Sequence, residues 1–149
     1  MRRLTILRHA DASAAPPGGE DFDRPLSATG LAAARAAAHA IGAALDPPQV
    51  LRVSPALRTR QTAQVLCDLA FPTLRPDYAT GLYLAALDGL LAQIAATPAS
   101  CRHLMLVGHN PGLSELYALL ARAPGFGGLA PAQWMSLELG AGTWTDVLD

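Results

Sequence analysis

Hydrophobic positions along this chain fall into short blocks and longer ones, and their alternation predicts the fold. The first short block, 4–7 (Leu-Thr-Ile-Leu), ends abruptly at Arg8-His9. Blocks 50–53 (Val-Leu-Arg-Val) and 104–107 (Leu-Met-Leu-Val) are alike, ending at Ser54-Pro55 and at Gly108-His109-Asn110-Pro111. Runs of this length without polar alternation read as strands covered on both faces. Between them lie stretches with helical spacing. The alanine-rich stretch 28–45 is capped by Ser27 and stopped by Pro47-Pro48; others run from just after Ser54 to about 70, over 87–96 and over 113–121. Residues 11–26, rich in Ala, Pro, Gly and Asp, read as a loop. The tail, 134–148, reads as two strands joined at Gly140-Ala141-Gly142. Strands alternating with helices predict one α/β domain over 1–149. It should be a three-layer α/β/α sandwich with a mainly parallel sheet.

Composition narrows the function classes. A chain of 149 residues and 15.5 kDa is one domain's worth and can bury a core without staples. With 15% charged residues and a net charge of -1 it lacks the broad basic face that nucleic acid requires. No apolar stretch approaches the ~20 residues of a membrane span. Met1-Arg2-Arg3 runs straight into a strand, unlike a signal peptide. Cys67 and Cys101 lie in no metal-like spacing and read as reduced thiols of a cytoplasmic protein. No set of carboxylates, histidines or cysteines has ligand spacing, so no metal or other cofactor is expected. The expected state is a monomer or weak dimer. Trp134 and Trp144 fit either core or surface.

The special residues fall at three strand ends. Arg8-His9 follows the first, Ser54-Pro55 with Arg58 the second, and Gly108-His109-Asn110 the third. Open parallel sheets bind ligands beyond the carboxyl ends of their strands. Three distant segments should therefore converge on a spot holding two imidazoles and two guanidiniums. Two arginines can grip a tetrahedral anion with forked, charge-assisted hydrogen bonds. A phosphoryl group in flight spreads charge over three equatorial oxygens. Arg8, Arg58 and a protonated His109 would stabilise it, and helix N-termini after Ser54 and Pro111 would add to the field. His9 would be the nucleophile, its other ring nitrogen donating to a backbone carbonyl. Each piece alone has a plainer reading: a structural histidine, solvated charges at Arg52, Arg58 or Arg60, a simple turn at 108–111. Their joint placement supports the chemistry.

These segments resemble the histidine phosphatase superfamily, with its phosphoglycerate mutase-like fold, and most of all its SixA-type phosphohistidine phosphatase branch. The stretch 4–12 resembles the family's strand and Arg-His-Gly signature. Asp23 to Gly30 is similar to the segment that opens its first helix. Ser54 to Ala63 resembles the second signature and places the arginine at Arg58, not Arg60. Val107 to Asn110 resembles the third, with the second histidine at His109. The resemblance implies a metal-independent phosphatase in which His9 is phosphorylated and water hydrolyses the phosphohistidine. Arg8, Arg58 and His109 would hold the phosphoryl oxygens.

The sequence departs from that pattern twice. Ala10 stands where the family has glycine, predicting a slightly tighter pocket wall. Gly81, two residues before Tyr83, stands where many members carry a glutamate that protonates the leaving group. Asp77 and Asp88 are the nearest carboxylates and read as loop and helix-cap acids. A nitrogen-linked phosphoryl group leaves readily without such an acid, and a short chain has little material for a lid. The expected substrate is therefore phosphohistidine on a partner protein. The alternatives are a phosphatase or mutase acting on a small phosphate ester, and a catalytically silent phosphoprotein-binding module.

Overall fold

A computed structural model describes the whole chain, residues 1–149. Strands β1 (Arg2–Arg8), β2 (Val50–Val53), β3 (Asp77–Tyr78), β4 (His103–Gly108) and β5 (Trp134–Leu139) form one sheet in the order β3-β2-β4-β1-β5. β1 and β4, β4 and β2, and β2 and β3 pair in parallel, while β5 joins β1 antiparallel at the edge. The helices are α1 (Ala28–Ala44), α2 (Leu57–Leu69), α3 (Leu87–Ala95) and α4 (Gly112–Leu120). The α/β class and the mostly parallel sheet agree with the sequence pattern.

Successive side chains of a strand point to opposite faces, so an unbroken apolar run supplies two cores. Leu4 and Ile6 of β1 and Leu104 and Leu106 of β4 meet Leu90 and Ile94 of α3 and Leu113 and Leu116 of α4. Leu7, Leu51, Val53, Met105 and Val107 meet Ile41 of α1 and Ala63 and Leu66 of α2. Leu104, Met105, Leu106 and Val107 are all fully buried in the central strand. A Leu→Ala change there costs about 2–5 kcal/mol.

α1 begins where expected: the Ser27 hydroxyl accepts from Gly30 N at 3.0 Å. The loop before it is tied to the same point, since Asp11 O accepts from Ser27 N at 3.0 Å. A Cβ at Gly30 would sit 2.0 Å from Asp11 O, so only glycine admits this approach.

Three local features differ from the sequence reading. The tail has one strand, not two: after β5 the chain turns at Gly142 (φ 129°) into a 3-10 turn, Asp146–Leu148. Asp146 Oδ2 accepts from Thr143 N and Oγ1 at 2.8 Å each. Trp144 is buried in the core on the α3–α4 side, and its Nε1 donates to Cys101 O at 2.8 Å. Burial of that indole takes the place of strand pairing. Second, β3 is only two residues long, too short to show a period. Third, Arg52 is no solvated charge; it is buried and donates to Gln93 O at 2.7 Å and Thr97 Oγ1 at 3.1 Å. Both cysteines are free and buried, and no helix is long and apolar enough to cross a membrane.

Candidate active site

The sheet order brings together what the sequence keeps apart. β2, β4 and β1 are neighbours, all parallel, with Val53 and Leu7 both level with Val107. Their carboxyl ends therefore stop at one height. His9 N donates to Gly108 O at 3.1 Å, and Ser54 N to Val107 O at 3.0 Å, so pairing continues one residue past the strands. His9, Ser54 and His109 emerge side by side, with 5.4 Å between the histidine ring centroids. α2 and α4 start just beyond, and Leu113 N donates to His109 O at 3.1 Å.

His9 is held in one orientation. Its Nδ1 lies 2.7 Å from Ala10 O, a carbonyl that can only accept, so Nδ1 carries the hydrogen. In the neutral ring Nε2 then keeps its lone pair. Burial pushes the His9 pKa down to about 4, with the nearby arginines, Arg58 first, adding repulsion against the pull of the Ala10 carbonyl. At neutral pH the ring is uncharged.

The sequence reading gives His109 a proton beside a phosphoryl group; without one, its surroundings favour the neutral ring. His109 Nε2 lies 2.7 Å from Ser54 Oγ, and Nδ1 lies 3.3 Å from Arg58 Nη2. Guanidinium has no acceptor, so Nδ1 accepts and Nε2–H donates to Ser54. Burial, then Arg58, pushes the pKa down to about 3.

Both arginines are tethered by their outer nitrogens. Arg8 Nη1 donates to Leu129 O at 2.9 Å, a carbonyl that Asn110 Nδ2 also holds at 2.9 Å. Arg58 Nη1 donates to Asp21 O at 2.9 Å and Nη2 to Asp21 Oδ2 at 3.1 Å. What remains is telling: Arg8 Nε and Arg58 Nε are both buried without a hydrogen-bond partner. Each is a donor left for an acceptor from outside. Arg60, two positions on, is exposed and lies over the Tyr78 ring at 5.7 Å.

Sequence reading missed Asp21, Phe22 and Tyr83. The segment 11–26 is a loop as expected, but its 3-10 turn, Asp21–Asp23, reaches back to Arg58. Tyr83 OH donates to Asp21 Oδ2 at 2.5 Å. The Tyr83 ring is edge-on to His109 at 5.6 Å and to Phe22 at 5.1 Å. The Tyr83 hydroxyl, then Arg58, holds the Asp21 carboxyl below the usual carboxylate range. Nothing in the sequence marked Asp21 out from Glu20 or Asp23 beside it; the contact to Arg58 spans 37 residues.

The two departures also look different in place. Ala10 is fully buried in a cluster with Ala34, Ala37 and Ala132, so its methyl fills a helix contact instead of tightening a pocket wall. A Cβ at Gly81 would meet Gln93 Nε2 of α3 at 2.6 Å, and no other side chain within 4 Å. Position 81 thus points at α3 and not at the histidines. Asp77 is exposed at 3.5 Å from Arg52, and Asp88 is exposed in the first turn of α3, as loop and helix-cap acids should be.

Comparison with known proteins fits this geometry. Residues 4–78 match the model of the histidine phosphatase superfamily (branch 1). An uncharacterised chloroplast protein of Arabidopsis thaliana is 35% identical over 82% of this chain, which spans 60% of that protein's length. The structure of a candidate phosphohistidine phosphatase SixA from Nakamurella multipartitia superposes with a TM-score of 0.87 at 29% identity, covering 99% of this chain and 89% of the other. A candidate SixA from Agrobacterium tumefaciens gives 0.81 at 33% identity, covering 93% and 92%. The family match covers the first two strand ends and the structural likeness extends to the third, and on that footing the chain belongs to the histidine phosphatase superfamily, branch 1.

Proposed function

We propose that the chain is a phosphatase that passes the phosphoryl group through His9, and that its substrate is phosphohistidine on a partner protein. One observation carries the mechanism. A histidine with its Nδ1 pinned and its Nε2 lone pair free stands beside two buried guanidinium Nε–H groups that lack acceptors. A nucleophile and an unfilled oxyanion cradle together suit phosphoryl transfer.

In the first step the His9 Nε2 lone pair attacks phosphorus. The bond to the leaving atom breaks and its electron pair stays with the leaving group. Arg8 and Arg58 donate from Nε to the equatorial oxygens. In the second step water attacks phosphorus, the P–N bond breaks with its pair returning to Nε2, and a water proton passes to solvent. His109 is neutral before substrate binds and becomes a donor to the phosphoryl group when the dianion beside it favours protonation of Nδ1.

Two observations favour a nitrogen-linked substrate. The structural relatives at 29% and 33% identity are candidate phosphohistidine phosphatases. Position 81 supplies no acid, and an imidazole that already carries a proton on its second nitrogen leaves without one. Rapid quenching with labelled substrate should trap an acid-labile, base-stable phosphoenzyme, absent in His9→Ala. A panel of phosphohistidine protein, aryl phosphate, alkyl phosphate and phosphoglycerate tests the substrate. A fully active His9→Ala enzyme refutes the mechanism, and fastest turnover of phosphoglycerate refutes the substrate.

A further inference from the structure

We propose that Asp21 is the positioning residue of Arg58: it engages both Nη groups of the guanidinium and thereby leaves Nε, the one nitrogen without a partner, for the phosphoryl group. This rests on the reading that Arg58 holds phosphoryl oxygens.

A guanidinium carries five N–H donors in one rigid plane, four on the two Nη atoms and one on Nε. Whatever fixes the Nη groups also fixes where Nε points. Asp21 takes Nη1 with its backbone carbonyl (2.9 Å) and Nη2 with its carboxylate (3.1 Å), and Nη2 also reaches His109 Nδ1 (3.3 Å). Nε alone of the three nitrogens has no partner, and it is buried. A buried donor without an acceptor is destabilising until an acceptor reaches it. An arrangement that anchors both Nη nitrogens and keeps the remaining nitrogen dry and unpartnered is organised for an incoming acceptor.

Arg8 follows the same scheme with a simpler tether. Its Nη1 goes to the Leu129 carbonyl and its Nε is likewise free. Arg58 differs in that a carboxylate shares the task. The same carboxylate oxygen, Oδ2, also accepts from the Tyr83 hydroxyl at 2.5 Å, and the Tyr83 ring rests against Phe22 and His109. Asp21 does not compete for the phosphate, because it bonds the nitrogens on the other edge of the fork. Arginine is a long side chain with much rotamer freedom to lose. Fixing the side chain before substrate arrives removes that cost from the reaction, as a preorganised oxyanion site requires.

The test is a double-mutant cycle in the full chain, with kcat and KM for an aryl phosphate and a thermal melt for each variant. Arg58→Ala should lower kcat about 100-fold or more. Asp21→Ala should lower kcat about tenfold with a smaller change in KM, since misplaced donors cost most at the transition state. Asp21→Asn, whose amide oxygen can still accept from Arg58 and Tyr83, should recover most of the loss. On the Arg58→Ala background, Asp21→Ala should change kcat less than about twofold, because contacting residues that act as one unit are not additive. Tyr83→Phe, which removes only the hydroxyl gripping the carboxylate, should cost several-fold alone and nothing on that background. Full activity in Asp21→Ala, or the same loss with and without Arg58, overturns the proposal. Full activity in Arg58→Ala overturns instead the phosphoryl-binding role on which it rests.

Discussion

Arg58→Ala should separate activity from stability, and the structure says by how much. The Arg58 side chain is 3% exposed while its partner Asp21 is 45% exposed. Breaking a fully buried ion pair strands the surviving charge and costs about 3–5 kcal/mol. Here the survivor is a half-exposed carboxylate that water can reach, which brings the loss toward the ~1 kcal/mol of a surface pair. Removing the methylene stem forfeits apolar burial at about 0.8 kcal/mol per group. Against this, the substitution removes a buried charge and the unpartnered Nε, whose burial alone costs about 1–3 kcal/mol. These contributions nearly cancel. At about 2–4 °C per kcal/mol for a domain of this size, the melting temperature should move by only a few degrees.

Turnover has no such compensation. Loss of one oxyanion donor costs about 2.7–4 kcal/mol of transition-state stabilisation, or about 100- to 1,000-fold in kcat. Aryl phosphate turnover and thermal melting, run in parallel, give both readings. Arg60→Ala is the control: its side chain is exposed over Tyr78, and both readings should stay near the parent values. An Arg58→Ala enzyme within threefold of the parent rate would refute the assignment. A melt that collapses along with activity would refute the stability reasoning.

Three further outcomes follow. His9 (about 4), His103 (about 4) and His109 (about 3) are all depressed by burial from 6.5; the unfolded chain binds protons below about pH 6.5 that the folded chain refuses, so stability should fall as pH drops from 6.5 toward 4, by at most about 1.4 kcal/mol per pH unit per histidine. Urea midpoints at pH 7, 5.5 and 4.5 check this, and a flat series refutes it. Dialysis against a chelator should leave the rate unchanged; loss of activity with recovery on adding magnesium or zinc would contradict the mechanism. General acid catalysis is worth about 100- to 10,000-fold; lacking it at Gly81, the enzyme should show a steep fall of log rate with leaving-group pKa across oxygen esters, and Gly81→Glu should not flatten it because a side chain there sets out toward Gln93 of α3 and not toward the histidines. A flat slope in the parent enzyme would mean another group supplies the proton.

Much of this was legible in the sequence because it is written in short contiguous runs. The strands β1, β2 and β4 are unbroken apolar blocks, and each ends on the residues that matter, so the rule that parallel sheets bind ligands at their carboxyl ends was enough to gather His9, Ser54, Arg58 and His109. What stayed hidden depends on contacts between runs. Asp21 sits in a segment whose composition says only loop, and its role exists only once α2 brings Arg58 beneath it. Arg52 and Trp144 were ambiguous for a related reason: their burial is set by a Gln93 carbonyl 41 residues away and a Cys101 carbonyl 43 residues away. The neutral state of His109 before a phosphoryl group binds was not legible because sequence shows neighbours in a list, whereas the field at the ring depends on burial and on Arg58.

The electrostatics also reconcile two opposed demands on the site. A phosphoryl cradle wants positive charge, and a histidine nucleophile must not be protonated. Before substrate binds the same arginines serve both ends, since Arg58 and Arg8 add to burial in driving His9 down to about 4. The cost is a weakly basic nucleophile. A bound dianion cancels much of the arginines' field, which restores proton affinity to His9 Nε2 as it is needed for bonding to phosphorus, and to His109 as it is needed for donation. The phosphoryl group should therefore set the protonation of its own site. Sulfate tests this without chemistry, because it stays dianionic between pH 4.5 and 6, a window in which both rings are largely neutral before an anion binds. Saturable sulfate binding at about pH 5 should take up a fraction of a proton per site, measured by pH-stat in weak buffer, and should shift the His9 and His109 ring resonances toward the imidazolium form. Uptake should vanish in the His9→Ala/His109→Ala double variant. Saturable binding with no proton uptake would show that the arginines hold the anion while the histidines' environment stays unchanged, and the coupling between phosphate binding and imidazole basicity would have to be abandoned.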